Sequence, residues 1–208
     1  MTSRSILEMQ KSEWPETLDR ERNYAIVQVL LQTGIRLSEC TALTFEDITF
    51  GERSGLLRVR AGKGNKARSV PVNASAREAI AAYVAPRLRI EKPSVKAVAI
   101  GWPKPKTPEA HEPIFLSQKG GALTTSAMGQ MIADLVKAAG ALVPEETSAH
   151  TLRHTFARSY LAQYPGDVVG LATLLGHSSL DTTRLYSQPE VAQLATRVEQ
   201  LALNAYSG

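Results

Sequence analysis

Leu18, Ala25, Ile26, Val29 and Leu30 recur at helical spacing before the chain reaches Thr33-Gly34, so residues 17–32 are predicted to form an amphipathic helix stopped by glycine. A second short helix is expected from about Leu37. The segment LLRVRAGKGNKARSVPV alternates through Leu57, Val59 and Ala61, pauses at Gly62–Asn65 and resumes at Ala67 with Val70 and Val72. It reads as a β-hairpin with a glycine-rich tip. Residues 75–90 are alanine-rich and helical. Residues 91–113 carry Pro93, Pro103, Pro105, Pro108 and Pro113 among lysines and are expected to be a loop or insertion without regular structure over most of the span. Residues 113–117, PIFLS, read as a single strand, Thr125–Ala139 as a helix, and His150–Ala162 as another. Ser178 and Asp181 have capping-box spacing for a short helix carrying Tyr186, and Val191, Leu194, Ala195, Val198, Leu201 and Ala202 form an apolar stripe on a tail helix after Pro189. The expected fold is mixed, mainly α, with a small antiparallel three-stranded β-sheet.

The composition of the 208 residues, 43% hydrophobic and 21% charged, excludes collagen-like, low-complexity and wholly disordered chains. The net charge of +4 makes a polyanionic partner plausible without deciding it. The single cysteine, Cys40, has no internal disulfide partner and lies in an apolar stretch, which suits a reducing compartment and rules out a zinc ribbon. The N-terminus lacks the apolar region of a signal peptide, and Tyr24–Leu31 falls short of a membrane span, so a soluble, cytoplasmic protein with no membrane contact is expected.

Candidate chemistry clusters in four places. Residues 53–69 contain Arg53, Arg58, Arg60, Lys63, Lys66 and Arg68 without an acidic residue, which makes them phosphate-contact candidates or a solvated basic face. The GKGN tip lacks Walker spacing and joins two strands, which argues against ATP binding. On the helix holding HTLRH, His150, Arg153 and His154 project from neighbouring positions; a zinc reading lacks a third ligand, and His154 alone reads as a helix histidine bonded to a nearby loop. Arg36 follows the Gly34 turn at a helix start, where a guanidinium can face an anion, and His177 follows Gly176 with Tyr186 nine residues later.

Taken together, TGIRLSE, GKGNKARSVPV, HTLRH, LLGHSS and the tyrosine beyond them closely resemble the catalytic domain of the tyrosine recombinases, or phage integrases, over nearly the whole chain. The resemblance implies that Tyr186 attacks a DNA phosphodiester to give a 3′-phosphotyrosyl enzyme and a free 5′-hydroxyl. It implies that Arg36 and Arg153 stabilise the phosphate, that His150 accepts the tyrosine proton and that His177 donates a hydrogen bond to the phosphate. Lys63 corresponds to the general acid, with Lys66 as its local rival; Lys63 is favoured for its place between Gly62 and Gly64. Glu39 is implied to orient Arg36, while Arg58, Arg60, Lys66, Arg68 and Arg184 are DNA-contact candidates. No metal or cofactor is implied.

The resemblance also sets the expected organisation: a catalytic domain over residues 1–188, a tail helix over 189–208 docking in cis or on a neighbouring protomer, and no N-terminal core-binding domain. The implied partners are double-stranded DNA and further recombinase protomers, monomeric in solution and tetrameric on paired sites. Type IB topoisomerase-like nicking and closing, and a catalytically silent DNA-binding protein, are the competing readings.

Overall fold

The computed structural model describes residues 20–60 and 67–176. The elements are α1 (Arg20–Thr33), α2 (Leu37–Thr41), β1 (Ile48–Phe50), β2 (Gly55–Val59), β3 (Arg68–Pro71), α3 (Ala74–Val84), α4 (Val95–Gly101), α5 (Thr125–Ala139), α6 (Ala149–Gln163) and α7 (Val168–Leu175). This is the mainly helical fold with a small antiparallel sheet that the sequence predicts.

The first helix is not amphipathic. Every residue from Ala25 to Leu31 is buried, Gln28 included, because the run YAIVQVLL is apolar on all sides and α1 packs against α3, α5 and α6. Two of its buried polar residues pair with each other: Arg22 donates to Asn23 Oδ1 at 3.2 and 3.1 Å, and also to the Leu116 carbonyl at 3.0 Å.

The sheet runs β1-β2-β3, antiparallel throughout, with Ile48 opposite Leu57, Leu57 opposite Val70 and Val59 opposite Arg68. Ile48, Phe50, Leu57, Val59 and Val70 cover the core from one face, and Thr49, Leu56, Arg58 and Ser69 face outward. The third strand is therefore Ile48–Phe50, not PIFLS, whose residues form only isolated bridges, Thr44 with Pro113 and Leu116 with Ala122. The physical reason lies in the side chains around PIFLS. Pro113 has no N–H to donate, Arg87 donates to the carbonyls of Pro113 and Ile114, and the Leu116 N–H donates to the Tyr83 hydroxyl.

The span 91–113 is also more ordered than its prolines suggest. Pro93 and Pro103 bracket a proline-free segment that forms α4, capped by Ser94 accepting from the Ala97 N–H at 3.1 Å. Trp102 then stacks on Phe50, with ring centroids 4.5 Å apart, meets Phe45 edge-on, and donates from Nε1 to the Phe45 carbonyl at 3.1 Å. Side-chain caps also fix the starts of the other helices: Asn73 for α3, Thr124 for α5, Ser148 for α6 and Asp167 for α7. No helix among the described residues is long and apolar enough to cross a membrane.

A candidate phosphate-binding corner

Four elements meet at one corner: the α1–α2 turn, the start of β3, the first half of α6 and the C-terminal end of α7. Gly34 makes the meeting possible. It sits at φ +63°, and a Cβ there would lie 2.4 Å from Phe156 Cδ1 on α6 and 2.9 Å from Leu175 Cδ2 on α7. The chain leaves this turn into Arg36, the N-cap of α2, whose side chain is 42% exposed. Glu39, three residues on, accepts from the Arg36 backbone N–H at 2.8 Å and from Arg36 Nη1 at 3.0 Å. The expected orienting role of Glu39 thus has a geometry: one carboxylate reads both the backbone and the guanidinium of Arg36.

Glu39 is also bound by Arg68. Both terminal nitrogens of Arg68 donate to its carboxylate, at 2.9 and 2.7 Å, and Arg68 Nε donates to the Leu174 carbonyl at 2.8 Å. Burial by itself would push the Glu39 carboxyl up. Hydrogen bonds from Arg68 and from the Arg36 backbone, with the charge of Arg68, outweigh it and hold Glu39 below the ordinary carboxylate value. Cys40, next to it, is wholly buried; burial first and the Glu39 charge second raise its thiol far above the usual range, so the thiol stays protonated.

Arg153 enters the corner from α6. It is 6% exposed, donating from Nη1 to the Gly34 carbonyl at 2.6 Å and from Nη2 to the Leu175 carbonyl at 2.8 Å. One guanidinium therefore fixes both the turn before Arg36 and the last carbonyls of α7, where a cation also complements the helix dipole. His150 is exposed on the first turn of α6, and its ring meets that of His154 edge-on at 4.1 Å between centroids, with the two Nε2 atoms in hydrogen-bond contact. His150, one helical turn away, is one partner of His154. Burial, then the charges of His150, Arg158 and Arg153, hold His154 below the ordinary imidazole value. Among the described residues no group of three His, Cys, Asp or Glu side chains is placed to hold a metal ion.

The basic hairpin is less uniformly basic in space than in sequence. Arg58 projects from the exposed face of β2. Arg60 donates to Asp47 at 2.7 Å and to Glu46 and Thr44 at 2.8 Å, so acids from the preceding turn offset its charge. Arg68 points inward, its side chain 6% exposed. Lys63, Lys66, His177, Arg184 and Tyr186, and the tail helix, lie outside the described residues.

Comparison with known proteins places the chain in a family. The model of the phage integrase family matches residues 4–193. The tyrosine recombinase XerC of Thermodesulfovibrio yellowstonii is 36% identical over 176 residues, covering 84% of this chain and 52% of the relative. The crystal structure of XerA recombinase superposes with a TM-score of 0.60 at 30% identity, over 86% of this chain and 56% of that one. The XerH site-specific recombinase, solved bound to its difH substrate in a pre-cleavage complex, gives a TM-score of 0.65 at 25% identity, over 96% of this chain and 54% of that one. The chain spans about half the length of the curated relatives it matches. With the order of its motifs, the corner they build and a family match over most of its length, the chain belongs to the phage integrase family.

Proposed function

We propose that this chain is the catalytic part of a site-specific recombinase that cleaves and rejoins double-stranded DNA through Tyr186. The observation that carries the reading is the joining of Arg36 and Arg153, on separate helices, through the Gly34 carbonyl at 2.6 Å. Two permanently charged guanidinium groups held at one turn suit a phosphodiester passing through a more negative transition state. Arg36 is the more exposed and meets the phosphate from solvent. Arg153 fixes the direction in which Arg36 leaves the chain, besides the phosphate contact its motif implies.

In this proposal the Tyr186 oxygen attacks phosphorus as His150 takes its proton, and the departing 5′-oxygen receives a proton from Lys63. The phosphotyrosyl bond is itself a phosphodiester. Attack by a 5′-hydroxyl reverses the step, so rejoining needs no ATP. His177 adds a hydrogen bond to the phosphate. His154, held below the ordinary imidazole value by burial and by neighbouring charges, lies one helical turn from His150 with its Nε2 in contact with that of His150. Partner protomers on paired DNA sites complete the reading, as the recombination chemistry requires two duplexes.

Covalent capture tests it. The protein is incubated with nicked fragments of its source DNA and denatured, and the protein-bound DNA ends are sequenced, with Tyr186→Phe as control. Adducts at one recurring sequence that vanish in the variant are expected. Scattered adducts would indicate topoisomerase-like chemistry, and none at low salt, even with a core-binding domain supplied, would indicate a silent DNA binder.

A further inference from the structure

The hairpin arginine nearest the corner does not behave as a surface cation. Arg68 pairs directly with Val59 across β2 and β3, and Val59 is buried, so both side chains emerge on the core face of the sheet. It is in phase with Val70 and Val72, whereas Arg58, opposite Ser69, lies on the outer face. All three guanidinium nitrogens of Arg68 are engaged, two on Glu39 and one on the Leu174 carbonyl. The fit is close: a Cβ on Gly176, at φ +66°, would lie 2.6 Å from Arg68 Nη1.

These contacts close a circuit. Arg36 is held by Glu39, Glu39 by Arg68, and Arg68 by the Leu174 carbonyl; the adjoining Leu175 carbonyl binds Arg153, and Arg153 returns to Gly34, two residues before Arg36. A bidentate guanidinium fixes the plane of the carboxylate as well as its place. Lysine, a single point donor, keeps the charge and loses that plane.

Resting on the recombinase reading, we infer that Arg68 is a positioning residue: through Glu39 it sets the direction of the Arg36 guanidinium, and through Leu174 it ties that setting to the segment entering His177, without touching DNA. The base of the hairpin thereby serves the corner.

The test uses the full chain with Arg68→Lys, Glu39→Gln and the double variant, at temperatures below the melting point of each. On the nicked duplex recovered by covalent capture, Arg68→Lys is expected to slow single-turnover adduct formation by about tenfold or more while affinity and its salt dependence stay at the wild-type value. The double variant is expected to be within about twofold of the slower single variant, because both act on one carboxylate. In ¹⁵N spectra of the arginine side chains, the Arg36 Nε–H signal, assigned by its loss in Arg36→Lys, is expected to move in Arg68→Lys. A phosphate contact would instead show as weaker binding with a salt slope lower by about 1 and an unchanged rate at saturation. That result, independent multiplying losses in the double variant, or a lower melting temperature with an unchanged rate would overturn the inference. Should the wild type form no adduct, the recombinase reading fails while the spectra still decide: an unmoved Arg36 signal overturns the positioning role.

Discussion

Replacing Gly34 by alanine probes the packing on which the corner depends. The residue sits at φ +63°, a left-handed conformation that costs an L-residue roughly 1–2 kcal/mol. The added methyl would also lie 2.4 Å from Cδ1 of the half-buried Phe156 ring and 2.9 Å from Cδ2 of the buried Leu175, so both side chains must give way. Forcing a methyl group into such a contact costs about 1–3 kcal/mol, so Gly34→Ala is expected to lose about 2–5 kcal/mol in total. Gly120 supplies the control, at φ +84° with nothing within 4 Å of the added carbon. Gly120→Ala is expected to show the backbone cost alone, about 1–2 kcal/mol. Urea unfolding of both variants reads the two costs on one scale. A loss at Gly34 no larger than at Gly120 would refute the close meeting of the turn with α6 and α7.

Other consequences follow from the same geometry. Arg36→Ala is expected to lower the rate of adduct formation about 10²- to 10³-fold, as removal of a transition-state charge partner does, with Arg36→Lys a poor substitute in the same assay. Glu39 is held below its ordinary value of 4.5, so its contribution to stability is fully present above that pH and is lost as pH falls through the lower folded value. Glu39→Gln is therefore expected to cost about 2–3 kcal/mol at pH 7 and to show a shallower acid limb in urea titrations, and an unchanged limb would contradict the pairing. Cys40, buried and protonated, is expected to react with a thiol reagent only as fast as the protein unfolds, and rapid labelling under native conditions would place it wrongly. Trp102→Ala is expected to cost about 2–4 kcal/mol by thermal melting, against almost nothing if residues 91–113 were an unpacked loop.

Local pattern made most of the fold legible. Helix α5 runs over Thr125–Ala139 as its periodicity predicts, and both hairpin strands form where alternation places them. The failures have two causes: a deciding partner outside the local pattern, and prolines that mark the ends of an element instead of breaking it. Strand β1 has three residues and needs Leu57 and Gly55 to define it, while PIFLS has strand composition but finds its partners in Arg87 and Tyr83. Proline density hid α4, since prolines bracket a helix as readily as they break one. Motif order singles out Arg36, Arg153 and His150, and the structure brings Arg36 and Arg153 to one turn. The inward turn of Arg68 was signalled by its two-residue phase with Val70 and Val72, a cue outweighed by the basic residues around it. Neutralisation of Arg60 by Glu46 and Asp47 had no such local cue, because those acids reach it only through the sheet.

One measurement decides whether this corner serves a tyrosine nucleophile. Protein captured on nicked source DNA is digested with nuclease and protease, and the nucleotide-bearing peptide is sequenced by mass spectrometry. The mechanism places a 3′-linked nucleotide on Tyr186, with no such peptide from Tyr186→Phe. A nucleotide on any other residue, or an adduct that persists in Tyr186→Phe, would contradict it.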